Sequence, residues 1–242
     1  MSISRWLAAL LAVTMVNRFY GYPAWKPSLL RIHGFEALSF AVSGSTTSVY
    51  NDIDKTMLSH YGMNLANGIY SMAYRVINIA TIPIQSIEAA AFPRFFREGA
   101  KGAAAVESLA VKILKRTVML GLAAAVGIFL LAPLTPVLIG KGFKPSVSAL
   151  RWLCLIPLFR SFHLSAGDAI AGVGQQKFRL AGQAIAAACN IALNAYLIPR
   201  YSWWGAAIAS LLTDGSLAVL NWTVLFWLRR REQVAARAPQ LA

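Results

Sequence analysis

Acidic residues are scarce in this chain. Nine Asp and Glu stand against 23 Lys and Arg, and all charged residues together make up 13% of 242 positions. Soluble proteins carry about 25% charge to hydrate their surfaces, so a water-solvated globule explains this chain poorly. Cysteine is nearly absent: Cys154 and Cys189 lie inside apolar stretches without a Cys-x-x-Cys or Cys/His spacing. That argues against a disulfide framework and a structural metal, leaving them as lipid-facing or packing residues. The three histidines, His33, His60 and His163, give no i,i+4 ligand pair, so a metal hydrolase is disfavoured. No Gly-x-Ser-x-Gly nucleophile motif occurs, and Gly172-Val173-Gly174-Gln175-Gln176-Lys177 lacks the Gly-Lys-Ser/Thr ending of a phosphate loop. The chain therefore reads as a non-enzyme without a cofactor.

What is present is apolar. Hydrophobic residues make up 57% of the chain and the mean hydropathy is +0.56. The net charge of +14 raises the question of nucleic acid. However, the basic residues fall in short blocks between apolar runs, which is the pattern of membrane loops rather than of a nucleic-acid face.

A helix that crosses about 30 Å of hydrocarbon needs about 20 predominantly apolar residues. Six segments qualify, at about 37–58, 66–91, 112–133, 146–170, 178–198 and 204–228, with a weaker one at 5–20. Breaks are expected at Pro93-Arg94, Gly140-Lys141-Gly142, Gly172-Val173-Gly174 and Pro199-Arg200. Sustained two-residue alternation is absent, which disfavours a β-barrel. The fold class is thus all-α, a polytopic transmembrane bundle of six to seven helices. Its expected organisation is a short or truncated first helix plus cytoplasmic linker over 1–36, the bundle over 37–228 and a basic cytoplasmic tail over 229–242. A signal peptide is disfavoured at the start, because no small-x-small cleavage site follows Val16.

Lys and Arg accumulate on the cytoplasmic side of short loops. With all seven segments spanning, most of the basic residues fall on one side, including Arg94, Arg97, Lys101, Lys112, Lys115, Arg116, Lys177, Arg179 and Arg229 to Arg231. The C-terminus is accordingly expected in the cytoplasm and the N-terminus outside. A chain lacking upstream helices would show this pattern.

Several runs carry a family resemblance. SVYNDIDKTMLSHYG, then GIYSMAYRVINIATIPIQSIEAAAFPRFFREG, LIGKGFKPSVSALRWLCLIPLF and QAIAAACNIALNAYLIPRYSWWGAAIAS resemble polysaccharide exporters, specifically the oligosaccharide (O-antigen repeat unit) flippases. These belong to the multidrug/oligosaccharidyl-lipid/polysaccharide transporter superfamily. The Asn-x-x-x-Asn of Asn190 and Asn194, the Leu-Ile-Pro-x-Tyr ending at Tyr201 and the Gly-Ala-Ala-x-Ala from Gly205 carry much of the likeness, which covers residues 25 to 228.

Such flippases have about twelve to fourteen helices in two pseudo-symmetric bundles around a central cavity. This chain would supply the end of the first bundle and the second. The resemblance implies a bacterial inner-membrane protein of lipopolysaccharide and other polysaccharide biosynthesis. Its expected partners are a polyprenyl pyrophosphate-linked oligosaccharide, membrane lipids and a missing N-terminal bundle, with no nucleic acid. Two alternatives stand beside the flippase: a multidrug or cation exporter of the same superfamily, disfavoured by the scarcity of deep acids, and a non-transporting membrane scaffold in polysaccharide assembly.

Polar residues inside the spans are the candidate site, since such groups are costly in hydrocarbon. Ser71, Tyr74, Arg75, Asn78, Thr81, Gln85 and Glu88 recur at steps of three or four and form one stripe on a helix. Read as a cavity wall, this stripe gives Arg75, Asn78, Gln85 and Tyr74 as substrate-binding residues, with the Arg75 guanidinium on a pyrophosphate or acidic sugar. Read structurally, Arg75 pairs with a neighbouring helix. Asp214, Glu88, Asp54 and Asp168 are the gating or ion-coupling candidates. Glu88 is expected as a half-solvated gate or helix-end pair. Asp52, Asp54 and Lys55 read first as a wet surface with an Asp52–Lys55 pair and second as an outer gate; Ser43, Thr47 and Tyr50 continue their stripe inward. Pro157 should kink the fifth span. After it, His163 could switch with Asp168, although Asp168 reads first as a surface ion near Lys177 and Arg179. Asp214 is the deepest lone acid.

Overall fold

The structure is a computed structural model that describes residues 3–21, 34, 38 and 52–237. Ser43, Thr47, Tyr50 and the rest of 39–51 lie outside the described residues. The chain divides into two compact units, Met1–Leu38 and Ser39–Ala242. The first contains helix α1 (Ile3–Tyr20), whose Trp6, Leu10, Leu11 and Phe19 are exposed.

The second unit is a helical bundle. Helix α2 is described over 52–60. It is followed by α3 (Asn64–Gly99), α4 (Ala103–Leu131), the short α5 (Thr135–Leu138), α6 (Ser146–Leu153), α7 (Ile156–Gly172), α8 (Gln176–Tyr201) and α9 (Trp203–Arg237). No strand occurs among the described residues. Three stretches are long and apolar enough to cross a membrane by length and composition: Ala103–Leu138, Gln176–Tyr201 and Trp203–Ala235. Helix α3 does not meet that measure because of its polar stripe, yet its 36 residues reach about 54 Å at 1.5 Å per residue.

Prolines divide the helices differently from the expected breaks. The segment 146–170 is two helices, with α6 ending at Leu153 and α7 starting at Ile156. Pro157 supplies the reason. Its ring clashes with the carbonyl four residues earlier, that of Leu153, whereas a proline in the first turn of α7 loses no hydrogen bond. Pro93 does not end α3, which continues to Gly99. The turn beyond it is held by Phe95, fully buried among Val106, Ala110 and Ile113, and this packing outweighs one lost backbone bond. Pro199 likewise lies inside α8, beside the fully buried Ile198. Arg229 to Arg231, expected in a tail, are still helical.

The bundle has two apolar cores. One gathers Leu58, Tyr70, Ile77, Leu150, Leu153 and Ile198; the other gathers Phe95, Val106, Ile113, Ile170, Leu225 and Leu228. Between them along the chain, α3, α7 and α9 each bury polar residues: Thr81 and Glu88, Arg160 and His163, Asp214 and Asn221. Polar side chains of α3, α7 and α9 thus meet between the two apolar cores.

Backbone contact is close where small residues meet, as membrane helix interfaces require. A β-carbon on Gly99 would collide with the Gly172 carbonyl, and one on Gly205 with that of Leu197. Gly102, at φ +108°, makes the turn from α3 into α4, a conformation open to glycine and strained for other residues.

The two ends of the bundle differ in chemistry. At one end Trp152 stacks edge-on against Trp204, with ring centroids 5.0 Å apart, and Trp203 lies on Trp204 at 4.5 Å. Aromatic groups of this kind settle at membrane–water boundaries. At the other end the Glu107 carboxylate pairs with Arg229 at 2.6 Å and Glu232 accepts from the Ala103 amide at 2.6 Å. These contacts join the start of α4 to the end of α9, where the basic residues collect.

Candidate functional site

The polar stripe of α3 straddles the boundary of the bundle. Tyr74, Thr81 and Glu88, spaced by seven, turn inward and are buried, whereas Arg75, Asn78 and Gln85 are exposed. A seven-residue step drifts by only about 20° on a helix, so Tyr74, Thr81 and Glu88 form one line facing the interior and Asn78 and Gln85 an open line beside it, with Arg75 about 60° further round from Asn78.

Asn78 connects the two lines. Arg160, reaching from α7, donates from Nη1 to Asn78 Oδ1 at 3.0 Å, and its Nε lies 3.9 Å from Asp214 Oδ2 on α9. The other oxygen of Asp214 faces His163 Nε2, also at 3.9 Å. Among the described residues neither of those two atoms has a hydrogen-bond partner. Asn221 holds the backbone here by donating to the His163 carbonyl at 3.0 Å. Asp214 is thus buried as expected, but it is not alone: it faces a guanidinium and an imidazole. His163 faces Asp214 rather than Asp168, the partner weighed second from sequence.

Asp168 instead accepts from Arg179 at 2.8 Å. The partner matches expectation and the setting does not, since Asp168 is buried between α7 and α8 rather than on the surface. Glu88 is also buried, 3% exposed, and accepts a hydrogen bond from Ser165 on α7. It is neither half-solvated nor at a helix end, because α3 continues eleven residues beyond it to Gly99.

Asp54 needs the largest correction. Asp52 is exposed and pairs with Lys55 at 2.9 Å, as read from the i,i+3 spacing. Asp54, two residues on, is fully buried. Its Oδ2 accepts from the Tyr70 hydroxyl at 2.5 Å and from Ser210 at 3.3 Å; its Oδ1 accepts from the Lys55 amide at 2.7 Å. Tyr70 also lies 2.9 Å from Ser210 Oγ. The Lys55 ammonium sits 4.5 Å over the ring of Tyr74, which lies 4.9 Å from that of Tyr70. Three helices, α2, α3 and α9, converge on this carboxylate. Sequence reasoning missed Tyr70 as its partner; a tyrosine sixteen residues away across a turn gives no local signal.

A further polar pair lies between α8 and α9. Asn194 donates to Asn190 and Asn190 to Thr213, each at 2.9 Å. The Asn-x-x-x-Asn spacing thus forms a hydrogen-bonded ladder. Cys189 is exposed and Cys154 buried. No group of three or more metal-ligating side chains occurs among the described residues.

No family model matches the chain, and no curated protein does. Among solved structures it is similar to one described as the outward-facing conformation of a multidrug resistance MATE family transporter of the MOP superfamily, with a TM-score of 0.62 and 17% identity. The match covers 88% of this chain and 50% of that one. The chain spans about half that structure's length, and its fold is similar to that of one half of that structure.

Proposed function

We propose that this chain forms one lobe of a two-lobed membrane transporter and that the transporter moves a lipid-linked oligosaccharide by alternating access. The observation that carries this reading is the exposed set Arg75, Asn78 and Gln85 on a helix whose adjoining line is buried. Lone polar groups on a lipid-facing helix would be costly, so this set faces a cavity shared with a second lobe. There Arg75 meets the pyrophosphate, whose oxygens a guanidinium binds bidentately, while Asn78 and Gln85 hydrogen-bond the sugar. The lipid tail stays in the bilayer as the lobes rock about the site. Asp214, linked to Asn78 through Arg160, is the coupling residue, because a proton or cation at the Asp214–His163 gap would weaken its hold on Arg160. The basic end of the bundle then faces the cytoplasm of a bacterial inner membrane.

A second reading, a drug or cation exporter of the same superfamily, draws support from the buried carboxylates. Asp54, Glu88, Asp168 and Asp214 are all buried, so the scarcity of deep acids that spoke against an exporter does not hold. Co-expression of the chain with a candidate first lobe, scored separately for surface glycan and for drug efflux, distinguishes the readings. Glycan export that requires both lobes and fails with Arg75→Ala supports the flippase. Efflux without glycan export supports the second reading, and neither activity with any first lobe leaves the scaffold.

A further inference from the structure

The elbow between α3 and α4 holds a groove of about 730 Å³ that belongs to neither polar cluster described above. Arg94 and Arg97, on successive turns of α3, line one wall together with Lys101 in the turn beyond it; Ser108, Leu109 and Lys112 line the other, on one face of α4. Its single acid, Glu98, is committed to Lys101 at 2.9 Å. Among the described residues, Arg94, Arg97 and Lys112 form no ion pair, and all three are exposed.

This groove is a fixed shape. The close approach of Gly99 to the Gly172 carbonyl and the buried Phe95 anchor the α3 wall, while Glu232 on the Ala103 amide anchors the start of α4. Unpaired cations held facing one another repel, and an anion between them relieves that repulsion. The floor is not wholly polar: Leu109 packs against the core of Phe95 and Val106, so the groove offers cations at its rim and an aliphatic surface beneath. That combination suits an amphiphile better than a free ion.

Its level in the bundle agrees. A helix about 54 Å long extends beyond a hydrocarbon core of about 30 Å, which puts the last turns of α3 among lipid headgroups. Basic pockets at such positions recognise anionic headgroups. We propose that the α3–α4 groove is a seat for the phosphodiester of an anionic phospholipid, with Arg94, Arg97 and Lys112 on the phosphate and Leu109 under the glycerol and first methylenes. This site is independent of the transport reading and requires only that the bundle lie in a bilayer.

The test uses the full chain in neutral detergent, titrated with short-chain phosphatidylglycerol, short-chain phosphatidylcholine or inorganic pyrophosphate. Binding is read by native mass spectrometry and by the shift in thermal midpoint. Phosphatidylglycerol should bind and raise the midpoint, whereas phosphatidylcholine and pyrophosphate at equal concentration should do neither. Replacing Arg94, Arg97 and Lys112 together by Gln should weaken phosphatidylglycerol binding on the order of 100-fold, since each basic residue contributes about fivefold. A second triple variant, at Lys115, Arg116 and Arg230, removes the same charge outside the groove and should retain affinity within about twofold. Equal losses in the two variants would reduce the effect to net charge and overturn the seat. Equal protection by pyrophosphate would make it a site for a soluble anion, and equal binding of phosphatidylcholine would remove the headgroup; either result overturns the proposal.

Discussion

Arg160 Nη1 on α7 donates to Asn78 Oδ1 on α3 at 3.0 Å, which ties the open line of α3 to the polar interior. The same guanidinium lies 3.9 Å from Asp214 on α9. Removing one partner from a buried charge pair costs about 3–5 kcal/mol, because the other charge is left uncompensated. Arg160→Met is therefore expected to destabilise the bundle by about that much. Arg160→Met with Asp214→Asn should cost less than the sum of the single changes, with a coupling of about 0.5–3 kcal/mol. Unfolding in mixed micelles titrated with SDS measures both, and strict additivity would show that the two groups do not interact.

Tyr70 and Asp54 should behave as a unit. Tyr70→Phe removes the 2.5 Å donor to Asp54 Oδ2 and leaves Ser210, at 3.3 Å, as its longer side-chain partner. A buried acceptor deprived of its donor costs about 1–3 kcal/mol, more when charged. Tyr70→Phe should therefore lower stability by at least that amount in wild type and by clearly less in an Asp54→Ala background. An unchanged melting midpoint for Tyr70→Phe would mean that the hydroxyl does not serve the carboxylate.

Glycine substitutions should separate by position rather than by propensity. At Gly172 a β-carbon would stand 2.6 Å from the Phe95 carbonyl oxygen, so Gly172→Ala must push α3 and α7 apart, at a cost of about 1–3 kcal/mol or more. Gly68, within α3, has open space, and Gly68→Ala should stabilise by up to about 1 kcal/mol through helix propensity. Comparing the two variants in one thermal assay checks this, and a like sign for both would contradict it.

Ser202 joins α8 to α9 at φ 55° and ψ −135°, a conformation suited to glycine and strained for a residue with a β-carbon. Ser202→Gly should raise stability by about 1 kcal/mol. The Leu197 carbonyl lies against Gly205, so the turn has no room to close further. A drop in melting midpoint would show that the serine side chain contributes more than its backbone costs.

Much of the bundle was legible in the sequence because hydropathy and helical period are local properties. Apolar runs of span length and glycine turns such as Gly172 to Gly174 locate α8 within a few residues and one end each of α4 and α9, whose charged turns at Ala103 and Arg237 extend about nine residues beyond the apolar run. Prolines were less legible, because their effect depends on what surrounds them: Pro157 separates two helices, while Pro93 is overridden by the burial of Phe95. In the candidate site, the residue types and the Asp52–Lys55 pair could be read from spacing, but Asp54 could not. Its neighbour at 52 is exposed and paired while Asp54 is fully buried, and only Tyr70 and Ser210, from other helices, account for that.

By itself the sequence determined that the chain is an all-helical membrane bundle with polar groups at helical spacing inside its spans, since both follow from the cost of polar atoms in hydrocarbon. Only the tertiary structure decided which of those groups face one another. Asp214 meets Arg160 and His163, and Glu88 meets Ser165, because of how α3, α7 and α9 pack. A charge buried at low dielectric is governed by the few atoms around it, and those atoms come from helices distant in sequence.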